Sequence, residues 1–112
     1  MKIIDAPVSL DDFKRMAEGL FGNFVKAVVD VNRKILAVNG ELHADEEALL
    51  LESGSQQEDL WGINIYPDLG MPDRIEFDSV INIRPSQGNR SRGVDNPEIR
   101  DAILKIVEEL VK

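Results

Sequence analysis

After Ser9, apolar residues recur at helical spacing: Leu10, Phe13, Met16, Ala17, Leu20 and Phe21 share one face, and Asp11 and Asp12 suit the electropositive first turn. The spacing predicts a helix over 10–21, ended by Gly22. From Phe24 the period shortens to two. Val25, Ala27, Val29 and Val31 then point one way and Lys26, Val28 and Asp30 the other, which predicts a strand over 24–31. Asn32, Arg33 and Lys34 supply a hairpin turn. A second strand, over 35–43, places Leu36, Val38 and Leu42 on the apolar face and Ala37, Asn39, Glu41 and His43 opposite, with Gly40 marking a bulge.

Residues 45–52 fit a short helix capped by Asp45 and closed by Gly54, although Leu49, Leu50 and Leu51 in a row fit a strand nearly as well. Two clearer strands, 60–66 and 74–84, flank turn material at Pro67, Asp68, Gly70, Pro72 and Asp73. Trp61, Ile63, Ile65, Ile75, Phe77, Ile81 and Ile83 share their apolar face; Asn64, Tyr66, Glu76, Asp78, Asn82 and Arg84 share the polar one. Trp61 is expected in the core and Tyr66 at the surface. The sequence Ile81-Asn82-Ile83 echoes Ile63-Asn64-Ile65, which suggests two similar strand ends. Asn96 and Pro97 start a last helix whose stripe is Ile99, Ile103, Ile106, Val107, Leu110 and Val111. The expected fold is an α+β two-layer sandwich: a four-stranded, mainly antiparallel sheet with two helices, near the N- and C-terminus, on its apolar face and water on the other.

Length and composition narrow the function classes. With 112 residues, 43% of them hydrophobic and 30% charged, the chain is expected to form a single α+β domain over 1–112. No signal peptide or membrane-length apolar run is evident, so a cytoplasmic location is expected. The absence of cysteine excludes disulfides, thiol catalysis and cysteine-ligated metals. A net charge of −8 opposes general attraction to nucleic acid, whose binding rests on neutralising phosphates, and makes it an unlikely partner.

That charge is unevenly spread. Glu41, Asp45, Glu46, Glu47, Glu52, Glu58 and Asp59 lie in a stretch without Lys or Arg, whereas Arg84, Arg90 and Arg92 lie in one without Asp or Glu. The two stretches are expected to be solvated surface, neutralising each other within one molecule or across a dimer.

The runs GELHADEEALLLESGSQQEDLWGINIYP (40–67) and EFDSVINIRPSQGNRSRGV (76–94) resemble a family of small prokaryotic proteins catalogued as a domain of unknown function. The likeness extends over most of the chain. It implies a prokaryotic cytosolic protein and carries no catalytic residue, cofactor or activity with it.

The candidate chemistry therefore comes from the residues. Arg84, Ser86, Gly88, Asn89, Arg90, Ser91 and Arg92 form a loop shortly before the last helix. Its glycines permit close backbone approach, its hydroxyls and amide donate hydrogen bonds, and its arginines fork onto phosphate or carboxylate. It lacks the Walker lysine and the dinucleotide glycine pattern. The leading expectation is a binding or regulatory module that holds an anionic small molecule or an acidic protein segment there. The alternative is a hydrolase using His43, Asp78 and Glu41, with Glu76 and Arg84, on the polar sheet face. A third expectation is a homodimer in which the acidic stretch of one copy meets the arginine loop of another. The spacings of zinc and calcium motifs are absent, so no metal site is assigned, and no residue pattern names a cofactor.

Overall fold

The computed structural model describes residues 1–112. The period-two stretches become β2 (Val25–Asp30), β3 (Ile35–Val38) and β4 (Leu60–Ile65), and two shorter strands complete the sheet, β1 (Lys2–Ile4) and β5 (Ile75–Glu76). All pairings are antiparallel, in the order β1-β3-β2-β4-β5. The sheet thus has five strands where four were expected. β1 is only three residues long, too short for a period-two pattern to mark it.

Helix α1 (Leu10–Gly19) starts as its sequence predicts, with the Ser9 side chain accepting from the Asp12 N–H, and α3 (Pro97–Leu110) starts with Asn96 accepting from the Glu98 N–H. Both pack on one face of the sheet. Phe13 and Ala17 of α1 and Ile103, Ile106, Val107 and Leu110 of α3 meet Ala27, Val29, Leu36, Val38, Trp61 and Ile63 there. Burial of each large apolar side chain in such a core contributes roughly 1.5–3 kcal/mol. No helix is long and apolar enough to cross a membrane.

The opposite face departs from expectation. Residues 43–52 are a helix, α2 (His43–Glu52), and it lies across this face, with Leu50 packed against Val28, Ile35, Ala37 and Leu60. The protein therefore has three helices and three layers, not two helices and two layers. The strand expected over 35–43 stops at Val38 because Asn39 takes a positive φ of 67° and turns the chain up into α2. Asp45 is not the cap but sits inside the first turn, after Leu42. Gly40 does not form a bulge; it allows Glu46 to approach, since a Cβ there would lie 2.9 Å from Glu46 Cγ.

The strand expected over 74–84 survives only as Ile75–Glu76. Beyond it, side chains take over the hydrogen bonds a strand would make. Asn82 grips both backbone groups of Gly62: its Oδ1 accepts from the Gly62 N–H (2.8 Å) and its Nδ2 donates to the Gly62 carbonyl (2.9 Å). Ser79 caps a 3-10 turn over Val80–Asn82 and presses on Gly62, where any Cβ would fall 2.5 Å from it. Asn64 and Asn82 therefore occupy different conformations despite their matching neighbours, so their echo does not mark two strand ends.

Candidate functional site

The arginine loop proves to be a largely self-satisfied structure. Arg84 and Asn89 exchange backbone hydrogen bonds around a 3-10 turn over Pro85–Gln87, closed by Gly88 at a φ of 79°. Asn89 is buried; its amide donates to the carbonyls of Asn82, Ser91 and Gly93, and its Oδ1 accepts from the Asp95 N–H. Ser91 donates to Asp95 (2.6 Å), which holds that carboxyl below its ordinary range. Arg84 lies 4.2 Å above the Trp61 ring centroid and donates to the carbonyls of Gln57 (2.5 Å) and Leu60 (2.6 Å). Burial lowers its pKa, opposed by nearby Glu47. Arg84 and Asn89 thus hold backbone in place, and Gly88 shapes the turn. The N-terminus of α3 is likewise closed by Asn96.

Within one molecule no ion pair joins the acidic and basic stretches, although Glu47 acts on Arg84 through its charge. The ion pairs are Lys14–Asp68, Arg15–Asp12 and Arg92–Asp78. Ser86 and Arg90 are exposed, and Arg90 contributes its backbone N–H to Asp95 while its guanidinium faces solvent.

One loop arginine does reach a pocket. Arg92, oriented by a bond from its Nε to Asp78 (2.6 Å), lines a shallow cavity of 230 Å³ together with Lys26 from β2, His43 from the start of α2, and Ser79. No carboxylate lines this cavity. Leu42, Ala44, Val80 and Ile81 complete its wall. No side chain caps α2 at Leu42; the Asp45 and Glu46 amides bond the Leu42 carbonyl, and those of His43 and Ala44 remain open at the same place. Lys26 was assigned to the polar face but not to a site; its meeting with Arg92 depends on how the 77–93 segment folds over the sheet, which no local pattern reveals.

His43 sits on a helix, not on a strand beside Glu41, and Glu41 is exposed without a bond to it. The imidazole Nε2 is 2.8 Å from the Ile63 carbonyl. Because a carbonyl only accepts, Nε2 carries the proton, and in the neutral ring Nδ1 keeps a lone pair. Burial lowers the pKa of His43; the Ile63 bond and Asp78 oppose this, while Lys26 and Arg92 add to it. Asp78 is committed to Arg92. Glu76 accepts from Asn64 (2.8 Å) and Tyr66 (3.1 Å) and stays outside the pocket wall. No three His, Asp or Glu side chains converge as a metal centre would require.

Glu46, one turn into α2, is fully buried. Its Oε2 accepts from the Gly40 N–H (3.0 Å), and Oε1 has no partner. Burial raises its pKa to about 9, outweighing the Gly40 bond and nearby Lys26. It is a neutral acid at pH 7. Elsewhere, a groove of 460 Å³ runs between Val31, Lys34 and α3, where Lys105 lies among Glu98, Asp101 and Glu109 as on a solvated helix face.

Fold and site together define an α+β protein whose antiparallel sheet carries helices on both faces and a nitrogen-lined pocket at the start of α2. Residues 2–110 match the family model described as Protein of unknown function (DUF5674), and the chain belongs to that family. No curated protein and no solved structure matches it.

Proposed function

We propose that the protein is a binding module for an anion and that the site is the pocket of Lys26, His43 and Arg92, not the arginine loop as a whole. The observation that carries this reading is the convergence of three nitrogen-bearing side chains, from β2, α2 and the 77–93 segment, on a cavity without a carboxylate in a protein of net charge −8. Lys26 and Arg92 set a positive potential there, partly balanced by Asp78. The Ser79 hydroxyl and the uncapped α2 amides add donors. Asp78 takes only the Nε of Arg92, which leaves the terminal guanidinium nitrogens for a ligand.

The test is an amide and side-chain NMR titration with inorganic phosphate and with acetate. Saturable shifts at Lys26, His43, Ala44 and Arg92 that vanish in Lys26→Glu and Arg92→Glu support the site. Shifts scattered elsewhere, or unchanged in both variants, reject it.

A second reading, a hydrolase, is favoured by one observation: the Ile63 carbonyl fixes the tautomer of His43, a residue of the pocket wall, and leaves its Nδ1 lone pair as a base. It predicts hydrolysis of p-nitrophenyl acetate or phosphate that is lost in His43→Ala. Equal rates in both proteins remove it.

A further inference from the structure

The surroundings of the pocket are wrong for a fully hydrated free anion. Leu42 is 55% exposed and Val80 64%, and both border the cationic wall. On the other side, Lys26 Nζ lies 5.0 Å from the centroid of the Phe21 ring. Phe21 stacks on Phe24 at 4.7 Å, and Phe24 meets Tyr66 at 5.4 Å. These three rings are only partly buried. Lys26 therefore joins an aromatic ladder to an apolar-rimmed anion pocket, making one continuous surface. Scattered exposed hydrophobics need no explanation, but apolar and aromatic side chains grouped beside an arginine are the pattern of an interaction site.

We infer that the occupant is an extended segment of another protein, carrying an Asp or Glu beside apolar side chains: the carboxylate enters the pocket of Lys26, His43 and Arg92, and the apolar neighbours cover Leu42, Val80 and the Phe21–Phe24–Tyr66 ladder. This rests on the anion reading above and specifies its ligand. Charge complementarity selects the partner, since the charged side chains of the pocket wall are Lys26 and Arg92, and Asp78 engages only the Nε of Arg92. A nucleic-acid strand fits worse. Phe21 and Phe24 already stack on each other, with an interplanar angle of 11°, which withholds their facing sides from bases, and Glu76 lies against Tyr66.

The experiment is selection of a random dodecapeptide phage library on the immobilised full chain, followed by NMR titration with the winning synthetic peptide. The expected result is enrichment of peptides with Asp or Glu next to Phe, Leu, Ile or Trp. The winner should shift residues 21–26, 42–44, 80 and 92, and bind at least tenfold more weakly to Lys26→Glu and to Val80→Ser. Val80 is exposed, so its replacement leaves folding intact, and thermal melts confirm this for both variants.

Winners without acidic residues, or equal binding by both variants, overturn the inference. If no peptide is enriched while phosphate still shifts the pocket, the small-anion reading stands and this one falls. If neither phosphate nor peptide binds, both fall. A concentration-dependent dimer that Lys26→Glu dissolves assigns the surface to a second copy and also overturns it.

Discussion

The two faces of the sheet are built on different principles. Under α1 and α3 the packing is apolar throughout, and 18 buried residues form one continuous cluster. Under α2 and the 77–93 segment the apolar cluster has only five buried residues. The rest of that layer is polar. Asp30 accepts from Ser55 and from the N–H groups of Asn32 and Arg33, Asn82 grips Gly62, and Glu46 takes the Gly40 N–H. The first face derives its stability from area removed from water, which tolerates changes of shape. The second depends on directional bonds that a single missing partner leaves open, and it is the second that bears the pocket.

The largest effects should follow that division. Phe13→Ala, in the apolar face, is expected to cost about 3–5 kcal/mol, the usual loss for a buried aromatic. Asn82→Ala should cost about 3 kcal/mol although it removes little apolar area, because it leaves both Gly62 backbone groups without their partner; the Arg92 carbonyl loses one donor and keeps the Ser79 N–H. Asn82→Leu sharpens the contrast. If this face worked like the other, leucine would recover stability; it should instead be no better than alanine in urea unfolding midpoints.

Glu46 gives a pH signature to the same face. In the unfolded chain its carboxyl ionises near the ordinary 4.5, and in the folded protein near 9. Between those values the native state holds the extra proton. Its contribution is therefore full below about 4.5 and declines as pH rises toward 9. Glu46→Gln keeps the acceptor for Gly40 and cannot ionise. It should raise stability at pH 7 by about 1–3 kcal/mol and leave it unchanged near pH 4, as read from denaturant midpoints at the two values. A variant less stable than the parent at pH 7 would show that the carboxyl is ionised in the fold.

How much of this was legible follows from where each residue finds its partners. α1, α3, β2 and β4 were readable because local capping and periodicity agree with their tertiary surroundings. Their boundaries hold to within about two residues. Family membership was legible from the runs 40–67 and 76–94. The second face was misread because Asp30, Asn64 and Asn82 alternate with apolar residues as solvent-facing positions do. Their partners, Ser55, Glu76 and Gly62, lie on other elements, and no spacing along the chain announces them. Of the loop residues, Arg92 was assigned to ligand binding and lines the pocket; Lys26 was absent from the candidates because a lone lysine on a strand carries no signal.

The smallest expected effect separates the loop from the pocket. Arg90 and Arg92 are two residues apart, both exposed, and indistinguishable by composition. Only Arg92 is oriented, by Asp78, and only Arg92 lines the cavity with Lys26 and His43. Arg90→Ala should change stability by less than about 0.5 kcal/mol, as a surface substitution without a side-chain partner does. It should leave the phosphate-induced NMR shifts of His43 and Ala44 within twofold of their original affinity. Arg92→Ala, which gives up an exposed ion pair of modest worth, should also fold but lose most of that affinity. Equal losses from both would mean that diffuse charge along the loop, rather than the geometry set by Asp78, attracts the anion.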